Sequence, residues 1–175
     1  MRSRETYLYF QLDTNRINAK RSLANMNRLE RWRDDEVIGL LMSDVANAEA
    51  KAGRDARRVR KAVGYIYSIS YDREPRAREI QARVADILFP AGCRSRNQLN
   101  DVLIVCNALR YQYILITADR DIVKKRDTLA ELGLQVLTDA EAVAMVEDRI
   151  RERDDEARGD AAYDGEPVPW WVGKD

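Results

Sequence analysis

The chain of 175 residues contains no histidine. That absence removes Ser-His-Asp and Cys-His nucleophilic sites, zinc sites built on two helix-borne histidines, and any histidine acid/base or phosphotransfer step. Cysteine is scarce too. Cys93 and Cys106 lack C-x-x-C spacing and Cys106 lies inside an apolar helical segment, so two reduced thiols are expected rather than a redox or metal site. Neither a G-x-x-x-x-G-K-[ST] loop nor a G-x-G-x-x-G turn occurs, and the usual phosphate-cradling signatures are therefore missing. Lys plus Arg and Asp plus Glu balance at 30 each, so no global positive field announces nucleic acid, and only a local patch can supply one. No apolar run is long enough to span a membrane, and the opening MRSRET lacks the apolar segment of a secretory signal. A cytoplasmic protein without membrane contact is expected. Its chemistry must rest on carboxylates, lysines, hydroxyls or a metal.

The length suits one well-packed core. Tyr7-Leu8-Tyr9-Phe10-Gln11-Leu12 is a short continuous apolar run, as in a strand buried on both faces, and it stops on Asp13. Residues 14–33 are polar with spaced apolar positions and predict one or two helices; residues 37–42 predict a second strand, after which Ser43 or Asp44 caps a helix carrying Glu49. Val59, Val63, Ile66 and Ile69 have helical spacing, as do Ile80, Val84, Ile87 and Leu88 after Pro75, with a break at residues 72–75 that predicts a helical hairpin. A helix over residues 97–110 is apolar on most sides. Residues 113–117 predict a third strand, 122–132 a helix ending at Gly133, and 135–137 a fourth strand; Thr138-x-x-Glu141 is a capping box opening the last helix. Strands alternating with helices predict a three-layer α/β/α sandwich on a mostly parallel sheet of four or five strands. Residues 1–150 are expected to form this domain, and 151–175 a charged C-terminal tail in which Trp170-Trp171 docks on the body or on a partner.

In such sheets ligands bind beyond the carboxyl ends of the strands. Asp13 sits there after the first strand, and Asp119, in ITADRD, comes after the third in the same way. Each taken singly is as well explained as a helix N-cap. Asp101 stands directly before Val102-Leu103-Ile104-Val105, where a solvated helix face is a poor explanation. Glu49 alone reads as an exposed helix glutamate. Together the four change the weighing: anions converging in a cleft raise one another's pKa or bind a cation. Oxygen ligands without His or Cys suit Mg²⁺ or Mn²⁺, which in turn suit phosphoryl chemistry.

D-T-N ending the first strand, a glutamate after the second, N-D heading an apolar helix and T-A-D-R-D after the next strand together resemble the PIN domain family, over residues 7–146. The resemblance implies a PIN-like fold and a Mg²⁺- or Mn²⁺-dependent endoribonuclease that hydrolyses RNA by metal-activated water. Asp13, Glu49, Asp101 and Asp119 would be its catalytic and metal-binding acids, with Asp121 as an auxiliary metal ligand and Asn15 and Thr117 orienting the acids. The role of toxin in a toxin–antitoxin pair, an antitoxin protein as partner and a homodimer are further expectations. RNA would need cations at the rim, and Arg16, Lys20, Arg94, Arg96, Arg120 and Lys124 lie near strand ends or helix starts; a solvated helix face is the commoner fate of each. Tyr71, Tyr111 and Tyr113 are candidates for stacking on bases, against a core role. Two other readings share part of the pattern. One is a catalytically silent PIN-like module that binds RNA or protein, against which retention of all four acids counts. The other, a haloacid-dehalogenase-like phosphatase, needs D-x-D where this chain has Asp13-Thr14-Asn15.

Overall fold

A computed structural model describes residues 3–65, 67–68 and 75–175. The apolar run ending at Asp13 forms β1 (Tyr9–Leu12), whose Phe10 and Leu12 have no exposed surface. After it come a 3-10 turn (Thr14–Arg16), α1 (Ala24–Asp34), β2 (Gly39–Ser43), α2 (Asp44–Ala52), α3 (Ala56–Val63), β3 (Tyr67–Ser68), α4 (Pro75–Leu88) and α5 (Arg96–Tyr111). The chain then runs through β4 (Ile114–Ile116), α6 (Arg120–Lys124), α7 (Arg126–Ala130), β5 (Val136–Leu137) and α8 (Asp139–Asp164). Among the described residues the strands form one sheet in the order β3-β2-β1-β4-β5, with every pair parallel. Parallel pairing needs crossovers, and the helices supply them, so the strands are covered and read as continuous apolar runs. The expected α/β sandwich is the architecture found.

Caps explain where several helices begin. The Ser43 hydroxyl accepts the Ala46 amide at 3.0 Å and starts α2, Ser95 accepts the Gln98 amide at 3.2 Å and starts α5, and Thr138 with Glu141 forms the expected capping box of α8. Gln112, at φ 56°, ends α5 in the left-handed region. Three buried amides then tie helices to the frame. Gln11 Nε2 donates to the Ile104 carbonyl at 2.8 Å, Asn47 Nδ2 donates to the Ala62 carbonyl at 2.9 Å, and the Ser68 hydroxyl donates to Asn107 Oδ1 at 2.7 Å.

Two expected elements differ. The helix expected over Val59 to Ile69 stops at Val63, and Tyr67–Ser68 is a strand paired with Met42 and Ser43 of β2. Tyr65, Tyr67 and Ile69 alternate with period two as well as the stretch fits a helical period, and Gly64 lies at the break. Ile66, Ile69, Tyr71 and the turn at 72–74 lie outside the described residues. The helix expected over 122–132 is two short helices meeting at Lys125, which keeps Ile122 and Leu129 both buried.

The expected division at residue 150 falls inside α8, which runs unbroken to Gly165 with φ 68°. Arg153 and Asp154 on it are buried and paired to each other at 2.6 Å. Arg153 also binds Asp175 at 2.8 Å and lies 4.6 Å from the Trp171 ring, while Arg4 pairs with the same Asp175. The chain after α8 thus folds back on the body: Trp171 is buried, whereas Trp170 is 67% exposed. No helix among the described residues is long and apolar enough to cross a membrane.

This asymmetry predicts the outcome of two truncations. Trp171→Ala should cost about 3 kcal/mol of stability, as for a buried aromatic, while Trp170→Ala should stay within about 1 kcal/mol, since it loses only solvated cation–ring contacts. Denaturant unfolding of the two variants against the parent checks the difference.

Candidate functional site

Every strand pair is parallel, so the chain emerges from β1, β2 and β4 at one edge of the sheet. Asp13 is the first residue after β1, and its backbone amide donates to the Ile116 carbonyl of β4 at 3.0 Å. Glu49 rides on α2 directly after β2, Asp119 lies just beyond β4, and Asp101 lies in the second turn of α5. These four acids line one pocket of about 350 Å³ together with Thr14, Asn15, Ala50, Gly53, Arg58 and Asn97. Side chains two residues apart in a strand share a face, so Gln11 points the way Asp13 does. Its bond to Ile104, one turn beyond Asp101, sets α5 against β1 and with it the approach of the two acids.

The acids are held differently. Asp13 is buried, and its Oδ2 accepts the Thr117 hydroxyl at 2.5 Å and the Asn15 amide at 2.6 Å. Asn15 also reaches the Thr117 hydroxyl at 3.2 Å, and its own Oδ1 accepts the Ala118 amide at 3.0 Å. Thr117 accepts the Asp119 backbone amide at 2.9 Å, which closes a network joining the ends of β1 and β4. Asn15 and Thr117 thus orient Asp13, and the side chain of Asp13 caps nothing. Asp119 does cap: its Oδ1 accepts the amides of Asp121 and Ile122 at 2.7 and 3.1 Å, while among the described residues its Oδ2 has no hydrogen bond. Glu49 accepts the Thr14 hydroxyl at 2.7 Å.

Asp101 has no hydrogen-bond donor among the described residues. Burial, together with the charges of Asp13, Asp119 and Glu49, pushes its carboxyl up to about 7. Burial also pushes Asp13 up, against the pull of the Thr117 hydroxyl, with Asp119 and Glu49 adding to the push. Asp13 and Asp101 therefore both feel the charges of Asp119 and Glu49. Oxygen-only donors under mutual repulsion fit a hard divalent cation in kind. Among the described residues no three acids already stand as a closed metal site. An open set still suits Mg²⁺, which keeps several waters and takes one or two carboxylates with substrate phosphates.

The remaining expected residues lie outside the pocket lining. Asp121 is exposed and pairs with Lys124 at 3.3 Å. Arg16 reaches Asp139 at 3.5 Å and the Asn15 carbonyl at 3.2 Å, so it braces the loop after β1. Lys20, Arg94, Arg96 and Arg120 are exposed. Tyr111 and Tyr113 stack on each other with ring centroids 5.5 Å apart at the amino end of β4, the opposite edge from the acids. Sequence reasoning missed Thr14, Asn97 and Arg58. Asn97 had a signal, since it stands four residues before Asp101 on the same helix face. Arg58 had none: DARRVRKAV offers several cations, and only the packing of α3 on α2 selects this one.

The chain matches no protein-family model and no curated protein. Solved structures do resemble it. One is VapBC-1 from nontypeable Haemophilus influenzae, at 22% identity and TM-score 0.51, covering 76% of this chain and 99% of that chain. Another is VapBC2 from Rickettsia felis bound to a DNA fragment from its promoter, at 17% identity and TM-score 0.51, covering 75% and 98%. These likenesses are of fold. The architecture is PIN-like, as the order of motifs implied.

The position of Asp101 gives a pH prediction. Its ordinary value is 3.8 and its folded value about 7, so the unfavourable folded-state charge is absent below about pH 4, grows between pH 4 and 7 and is full above 7. In chelator, Asp101→Asn should leave stability nearly unchanged at pH 4 and raise it at pH 8. The gain should be about 1–2 kcal/mol, discounted for a half-exposed carboxyl, or a few degrees in Tm. Melting curves across this range check the sign.

Proposed function

We propose that the protein is a divalent-cation-dependent endoribonuclease and the toxin half of a toxin–antitoxin pair. The observation that carries the reading is the convergence of Asp13, Glu49, Asp101 and Asp119 on one pocket at the carboxyl edge of a PIN-like sheet. Asp13, Glu49, Asp101 and Asp119 would hold Mg²⁺ or Mn²⁺. When bound, such an ion supplies Lewis-acid stabilisation of the charge developing on a phosphoryl group. The chain's own groups do the placing. Thr117 and Asn15 keep the Asp13 carboxylate in one orientation, Thr14 does the same for Glu49, and the α6 amides hold one oxygen of Asp119 so that the other stays available. Asp101, lacking any donor among the described residues, is the acid whose charge most needs a cation. The fold shared with chains of VapBC toxin–antitoxin structures supports an antitoxin as protein partner.

Single-stranded RNAs incubated with Mg²⁺, Mn²⁺ or chelator test the chemistry. Cleavage is expected with either metal and not in chelator, and Asp13→Asn should lower the rate on the order of 100-fold or more. Mn²⁺ at a hundredfold excess over its Kd should stabilise the parent by roughly 2.7 kcal/mol, and Asp13→Asn should lose most of that shift. Full activity in excess chelator would sink the reading. RNA binding without cleavage under any metal would make the protein a silent RNA-binding module instead.

A further inference from the structure

The acidic pocket has a cationic wall. Arg58 is the third residue of α3, and Asp55 fixes that first turn by accepting the amides of Arg57 and Arg58 at 2.9 and 3.3 Å. From there Arg58 Nη2 donates to the Thr14 carbonyl at 2.6 Å, immediately beyond Asp13, and the Thr14 hydroxyl is the one that holds Glu49. A backbone carbonyl carries no net charge, so the bond orients the guanidinium without pairing it to an acid. Among the described residues Arg58 forms no ion pair, although four carboxylates line the same pocket. Its Nε–H is buried and has no hydrogen-bond partner among the described residues, which is rare for an interior donor. Each expected rim cation with a partner, Arg16 or Lys124, is tied to an acid outside the pocket; Arg58 is the cation inside it.

A guanidinium presents a planar fork that matches two oxygens of a phosphate. The carboxylates that line the same pocket repel a bare anion, so a phosphate settles here only with a divalent cation at the acids and a fixed positive group beside them. We infer that Arg58 is a substrate-binding residue that takes the non-bridging oxygens of an RNA phosphodiester in this pocket. The inference rests on the ribonuclease reading and names how that site grips its substrate. The competing role is a structural clamp joining α3 to the turn after β1.

Binding of a fluorescent single-stranded RNA, with Ca²⁺ replacing Mn²⁺, is measured across salt concentrations beside cleavage with Mn²⁺. Arg58→Gln should weaken binding roughly tenfold and reduce the slope of log K against log salt by about 0.7, one single-strand phosphate contact. Arg58→Lys should keep the slope but lose cleavage rate, because an ammonium has no fork. Added guanidinium ion at millimolar concentration should restore part of the rate of Arg58→Ala. Unchanged binding, slope and rate in Arg58→Gln overturn the inference, as does a loss that tracks a lowered Tm and resists guanidinium. If Arg58→Gln does not fold, a wild-type rate in Arg58→Lys overturns it equally. A parent that binds RNA with the Arg58-dependent slope but cleaves nothing removes the nuclease reading and keeps the contact; a parent that binds no RNA removes both.

Discussion

Parallel pairing of β1 with both β2 and β4 is the constraint on which the site depends. Because the strands run the same way, the chain must leave each at the same edge and return by a crossover. Residues far apart in sequence, such as Asp13 and Asp119, are thereby delivered side by side. Their contact is then made specific by short polar bonds: Thr117 to Asp13, Asn15 to both, and the Asp119 amide back to Thr117. An antiparallel partner for β1 would send its acid to the other end of the sheet.

Asp101 comes from a helix rather than a strand end, so it needs a separate anchor. Gln11 provides one, since its amide reaches the Ile104 carbonyl from the strand position that shares a face with Asp13. A polar side chain in the buried part of a strand is costly unless bonded, and Gln11 Oε1 has no partner among the described residues. An apolar residue would pack there at less cost but would not fix α5 against β1. The helix-borne acid and the strand-borne acid are thus held in register by one buried hydrogen bond.

The site and the remainder of the fold use charge in opposite ways. Around Asp175, burial pushes the carboxyl up, but hydrogen bonds from Arg4 and Arg153 outweigh it and hold it below its usual range. That acid is satisfied, and it fastens the chain after α8 to the body. In the pocket, Asp101 has no such donor among the described residues and is raised by burial and by its neighbours. The contrast separates acids that serve the fold from acids whose charge is unbalanced in the free protein. Arg58 sharpens it, because the cation within reach of the pocket is bonded to a carbonyl and not to an acid.

The sequence by itself determined most of the elements, the parallel sheet and the strand ends that carry Asp13 and Asp119, because continuous apolar runs, caps and turns are local signals. Ser43 and Thr138 cap where their side chains and spacing require, and Asp13 and Asp119 come after strands whose direction the crossovers dictate. Tyr67–Ser68 was not legible as a strand, since the same residues satisfy a helical period and only pairing with β2 decides between them. Tertiary structure also decided which role each acid plays: Asp119 caps a helix with one oxygen and lines the pocket, while Asp121, two residues away, points to solvent and Lys124. It alone selected Arg58 from a run of cations and turned Trp171 inward while leaving Trp170 out. Such choices depend on which side chain meets which across long separations in the chain, and no local pattern records those meetings.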